Sequence, residues 1–110
     1  MVVELGRLVY DVKVEKVKVG NDEKSVLNNR IAISSGKDKS TFVDIVAWGG
    51  TAELIGKYFQ KGYEIYVEGH LINKIRKKDD VEFDTVALNV DNIKFTNGNN
   101  KNTEEPPFLG

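Results

Sequence analysis

No cysteine occurs among the 110 residues, so neither disulfides nor cysteine-ligated metals hold this chain together, and the composition suits a reducing compartment. The single histidine, His70, has no second histidine or cysteine to complete a zinc site, and no cofactor is expected. Long apolar runs are missing too. Nothing approaches membrane-spanning length, and Glu4 stands where a secretory leader would carry its apolar segment, so a cytoplasmic protein without a membrane partner is expected. Finally, no charge of either sign predominates: 16 Lys and Arg face 17 Asp and Glu, for a net charge of -1. Setting aside Lys101, Glu104 and Glu105 leaves 15 basic and 15 acidic residues in the body of the chain. Polyanion binders are usually basic, so any such partner must be held by local clustering and by stacking.

What is present is a chain of one domain's length, 40% apolar and 30% charged. Its organising stretch is residues 41–71: a strand over 41–49, a helix within 50–62, and a second strand closing on Val67-Glu68-Gly69-His70-Leu71. Ala52, Ile55, Tyr58 and Phe59 fall at helical spacing, with Gly62 as the stop. Upstream, alternation marks a strand over 2–9, with Gly6 signalling a bend or a close backbone approach. Val12 and Val14 are out of phase with Val17 and Val19, which predicts a bulge or turn at Glu15-Lys16. A turn over 20–24 and a strand over 25–34 follow, then a polar loop over 34–40. Downstream, 63–75 reads as one long strand, 76–80 as a charged hairpin loop, and 82–95 as the last strand. Residues 96–110 have few side chains able to bury surface and are expected to be a disordered tail beyond a domain of 1–95. The predicted class is all-β: a five-stranded Greek-key barrel of the OB-fold, with one short helix between strands 3 and 4.

The ordered set Val46-Ala47-Trp48-Gly49, Ala52-Glu53, Lys57-Tyr58, Lys61-Gly62 and Val67-Glu68-Gly69-His70-Leu71 resembles the bacterial single-stranded DNA-binding protein family. Gly6-Arg7-Leu8 with Asp11, and Asn28 with Ile31-Ala32-Ile33, are similar to its first two strands, and the likeness covers roughly residues 2–95. The resemblance implies a homotetrameric OB-fold that coats single-stranded DNA in replication, recombination and repair without strong sequence preference. A dimer is the fallback, because a first strand can pair across a two-fold axis. Such binding needs aromatic faces for bases, each contributing about 1–3 kcal/mol, and basic side chains along the phosphates.

Phe42 and Trp48 lie six apart on one strand, share its face, and match stacking positions of the family. Both could instead fill the core, yet Val43, Ile45 and Ala47 already form an apolar face of their own. Tyr66, Lys74 and Arg76 share a parity on the next strand, and Arg76 falls where some members place a further aromatic. Its guanidinium can stack on a base or pair with phosphate. Arg7 and Lys61 are candidates by family position, Lys37 and Lys39 by their loop, though solubility alone would also explain the lysines.

Val12, Asn29 and Asp44 depart from the family pattern. Asp44 sets a negative charge between the two rings and would repel phosphate unless Arg7, Lys61 or another cation neutralises it. The tail residues Glu104, Glu105, Pro106, Pro107 and Phe108 resemble the acidic Pro-Phe tip through which the family recruits replication and repair proteins, but the chain runs on past Phe108.

Two other functional classes compete with binding. The best constellation for an enzyme is Asp79, Asp80, Glu82 and Asp84, which reads more simply as turn chemistry, and no catalysis is expected. A protein-interaction module of the primosomal OB-fold type, with weak nucleic-acid binding, is the alternative that a neutral body favours.

Overall fold

A computed structural model of the chain describes residues 1–96. The proposed Glu104 to Phe108 tip, and all of the expected tail beyond Thr96, lie outside the described residues. The elements are β1 (Val2–Leu8), β2 (Glu15–Val19), β3 (Asp22–Ser34), β4 (Ser40–Trp48), α1 (Gly49–Tyr58), β5 (Glu64–Lys78) and β6 (Val81–Lys94). They form one sheet in the order β1-β5-β6-β4-β3-β2, and a further β1–β3 pairing closes it into a barrel. All ladders are antiparallel except β4–β6. The closed ring therefore has β1, β5, β6, β4 and β3 as its staves, with β2 lying outside it along β3. This is the all-β OB-fold expected from the sequence, its first strand broken into β1 and β2.

Alternation explains why these segments are strands. Ile31 on β3, Ile45 and Ala47 on β4, Ile65 and Val67 on β5 and Leu88 on β6 are all fully buried and meet in one core. Helix α1 adds Ala52 and Ile55 to that core, and Phe59 just beyond it stacks on Phe95 with ring centroids 5.2 Å apart. The chain enters α1 through Gly49, whose φ of 59° is open to glycine without strain. On the far side, Ser25 Oγ donates to Glu53 Oε2 at 2.6 Å while Lys16 Nζ donates to Ser25 Oγ at 2.8 Å, tying α1 to the β2–β3 hairpin.

Several boundaries differ from the sequence expectations. The helix ends at Tyr58, and Phe59 is already extended. Gly62 belongs to the next turn, where its N–H donates to the Leu8 carbonyl at 2.8 Å. The break in the first strand lies between Leu8 and Glu15, upstream of the expected Glu15-Lys16. Its cause is Asn29, 5% exposed, whose amide accepts from the Tyr10 N–H at 3.1 Å and donates to the Tyr10 carbonyl at 3.1 Å. A side chain thus replaces the strand partner that Tyr10 would otherwise need. Residues 76–78 are strand, so the hairpin loop shrinks to Asp79-Asp80. These two have φ of 53° and 64°, the left-handed pair that a tight type I′ turn requires and that Asp tolerates.

Because Asn29 satisfies two main-chain groups at once, Asn29→Leu is expected to cost about 1–3 kcal/mol despite its apolar gain. Urea unfolding followed by circular dichroism checks this; an unchanged midpoint would show that water serves Tyr10 equally well.

Candidate nucleic-acid interface

With Ile45 and Ala47 turned into the core, the pleat of β4 sends Phe42, Asp44, Val46 and Trp48 to the other side. The two rings are 57% and 43% exposed, whereas the Asp44 side chain is only 13% exposed. Six residues of strand set the rings roughly 20 Å apart. Cross-strand pairing then places the neighbours: Trp48 stands opposite Val26, Asp44 opposite Arg30 and Phe42 opposite Ala32 on β3. Ala32 is in turn opposite Arg7 on β1, so Arg7 shares the row of Phe42. The guanidinium of Arg7 donates to the Gly62 carbonyl at 3.1 Å, which points it towards the turn after α1.

Asp44 is the electrostatic centre of this face. Its Oδ1 accepts from Arg30 Nε at 2.8 Å, and its Oδ2 lies 3.4 Å from Arg76 Nη2 on the β5–β6 hairpin. Neutralisation thus comes from Arg30 and Arg76, and not from Arg7 or Lys61. The hydrogen bond to Asp44, and then its charge, raise the Arg30 pKa above its ordinary value. Arg30 also lies over the ring of Tyr10, 5.9 Å from its centroid, and that ring is half exposed.

The reach of Arg76 to β4 shows that its side of the hairpin continues the same face. That side carries Lys74 opposite Thr85 and Arg76 opposite Phe83, the latter ring 49% exposed. Arg76, Lys77, Lys78, Phe83, Asp84 and Thr85 line an open groove of about 540 Å³. Lys37 and Lys39 are exposed on the loop joining β3 to β4, beyond the Phe42 end of the face.

Two sequence candidates stand elsewhere. Tyr66 is opposite Leu5 and Lys94, with Lys94 Nζ 5.3 Å from its ring centroid, and its hydroxyl donates to Glu68 at 3.2 Å. Lys61 lines a separate groove with Asp11, Val12, Gly56, Phe59 and Gln60. Of the possible enzyme residues, Asp79 and Asp80 are the hairpin turn, and Glu82 lies 3.9 Å from Lys77. Among the described residues, no group of three or more His, Cys, Asp or Glu is placed to hold a metal, and no helix is long and apolar enough to cross a membrane.

Tyr10, Arg30 and Phe83 join the face although the sequence reading did not select them. The signal for Arg30 was its symmetry with Asp44 about the loop between β3 and β4. That for Phe83 was its symmetry with Arg76 about Asp79-Asp80.

Compared with known families, residues 1–96 match the model described as "Single-strand binding protein family". The chain is 33% identical over 103 residues to a single-stranded DNA-binding protein of Fusobacterium nucleatum, covering 86% of this chain and 65% of that one. It is 37% identical over 84 residues to single-stranded DNA-binding protein 2 of Streptococcus agalactiae serotype III, covering 71% and 62%. Single-stranded DNA-binding protein 1 of Clostridium acetobutylicum is 28% identical over 82 residues, covering 71% and 73%. The chain thus spans about two thirds of the length of these relatives.

The exposure of the two rings predicts that Phe42→Ala and Trp48→Ala each cost less than about 1 kcal/mol of stability, while Ile45→Ala costs about 2–5. Denaturant midpoints of the three variants check this. A large loss at Trp48 would mean that its ring serves the fold.

Proposed function

The chain belongs to the single-strand binding protein family, and from that premise we propose that it binds and coats single-stranded DNA through the outward face of β4 and the β5–β6 hairpin. The observation that supports this reading most is the pair of exposed rings, Phe42 and Trp48, on one strand face bordered by Arg30, Lys74 and Arg76. Bases of a single strand have free faces that can stack on such rings, whatever their identity, so the binding is tolerant of sequence. In a duplex those faces are already occupied. Lys74, Arg7, Lys37 and Lys39 supply the charge that follows the backbone, and the near-neutral body confines attraction to this face. Binding of this kind is not catalysis, and the protein acts in the cytoplasm, in DNA replication, recombination or repair.

Assembly as a homotetramer belongs to the same reading, with a dimer as the fallback. Val3 and Leu5 of β1 are 43% and 48% exposed. The edge of β1 facing β3 is paired only at Arg7 and Leu8, which leaves the Val2–Leu5 edge open to a second copy. The domain is taken as residues 1–95. By resemblance to the family's acidic Pro-Phe tip, the Glu104 to Phe108 segment, which lies outside the described residues, is proposed to recruit replication and repair proteins.

Fluorescence anisotropy with labelled oligo-dT is expected to give micromolar or tighter binding, with far weaker binding to the matching duplex. Trp48 fluorescence should be quenched on addition of the oligonucleotide, and Trp48→Ala should weaken binding by about 1–3 kcal/mol while the protein stays folded. Equal affinity for single and double strands would defeat the stacking mechanism. Light scattering is expected to report a tetramer; a stable monomer at high concentration would overturn the assembly.

A further inference from the structure

Resting on that reading of the face, we propose that Asp44 is a positioning residue: it holds Arg30 and Arg76 by their N–H edges, so that both offer planar faces to bases instead of free charges to phosphates. Each carboxylate oxygen takes one guanidinium, Oδ1 with Arg30 at 2.8 Å and Oδ2 with Arg76 at 3.4 Å. A guanidinium whose edge is occupied by a carboxylate keeps its flat face for stacking. Arg30 already behaves this way, since it bonds Asp44 and lies over the Tyr10 ring at the same time.

The location gives the arrangement its purpose. Phe42 and Trp48 are roughly 20 Å apart on an extended strand, too far for one base to touch both. Between them β4 itself presents outward only Asp44 and Val46, both largely buried. The Asp44-held guanidinium groups fill that gap with planes. The carboxylate is 13% exposed while the Arg30 and Arg76 side chains are 28% and 50% exposed, so the negative charge lies beneath the cations that cover it. The cluster carries one net positive charge where two free arginines would carry two. Asp44 therefore lowers the salt dependence of binding while preserving contact with the bases.

The test is the slope of log K against log salt for oligo-dT binding, measured for the wild-type chain and its variants. A phosphate contact contributes about 0.7 to that slope on a single strand. Lys74→Ala should lower the slope by about that amount. Arg76→Ala should weaken binding about five- to tenfold even at high salt, where phosphate contacts are screened, as loss of a stacking contact does. Its slope should fall by no more than the cluster's one net charge allows, about 0.7. Asp44→Asn should tighten binding at low salt and steepen the slope by about 0.7, the one net positive charge gained, and adding Arg76→Ala to it should remove that increment. Arg76→Lys keeps the charge without the plane and should not restore affinity.

An affinity loss in Arg76→Ala that fades at high salt as that of Lys74→Ala does, or full rescue by Arg76→Lys, would overturn the role given to Asp44 while leaving single-strand binding intact. Both Arg76 variants change an exposed hairpin side chain, so they decide the matter even where Asp44→Asn loses structure. Absence of oligo-dT binding by the wild-type chain would overturn the functional reading and this inference together.

Discussion

Closure of the barrel depends on the few residues at which β1 leaves β5 and reaches β3. Up to Arg7 the strand is laddered to β5, and only Arg7 and Leu8 pair with β3. The crossing is tight: a Cβ on Gly6 would come within 2.9 Å of the Ala32 carbonyl oxygen, a contact no other residue type avoids. Immediately afterwards Val9 donates to the Arg30 carbonyl, and the Asn29 amide takes both main-chain groups of Tyr10. Without these contacts β1 and β2 would stand at opposite ends of an open sheet. With them, Arg7, Ala32 and Phe42 fall into one row, and Tyr10 comes to rest beside Arg30. The same closure that builds the core therefore assembles part of the outer face.

That outer face is largely what remains once the inner one is filled. The fixed period of a strand forces Phe42 and Trp48 outwards as soon as Ile45 and Ala47 are buried. An acidic residue on such a surface looks unfavourable in isolation. Its surroundings change that assessment, because the carboxylate lies under two guanidinium groups and a nearly neutral protein still presents positive charge where strands would lie. Charge in this molecule is arranged locally, and the overall balance of acids and bases says little about it.

Much of this was legible in the sequence, and the omissions have physical causes. Alternation located the core positions of β4 and β5, and the resemblance in residues 46–71 was carried by that same stretch. The partner of Asp44 was not legible, because a cross-strand neighbour depends on hairpin register, and register follows from where a loop ends. Arg76, Lys77 and Lys78 read as loop because a ribbon exposed on both faces has no apolar period to announce it. The strand break at residues 9–14 was misplaced by a few positions, since its cause is an asparagine nearly twenty residues further on that substitutes for a strand partner.

The β5–β6 ribbon turns at Asp79-Asp80 with residues paired opposite one another from Lys78 and Val81 inward to Gly69 and Val90. Matched additions or deletions at this tip, one residue on each strand, change its length and leave every inner side chain on its present face. A lone insertion between Lys74 and Arg76 would send Arg76 to the opposite face, away from Asp44. Variation in the span of this protein along a strand is thus open to evolution in paired steps at the turn and closed to single steps within the ribbon.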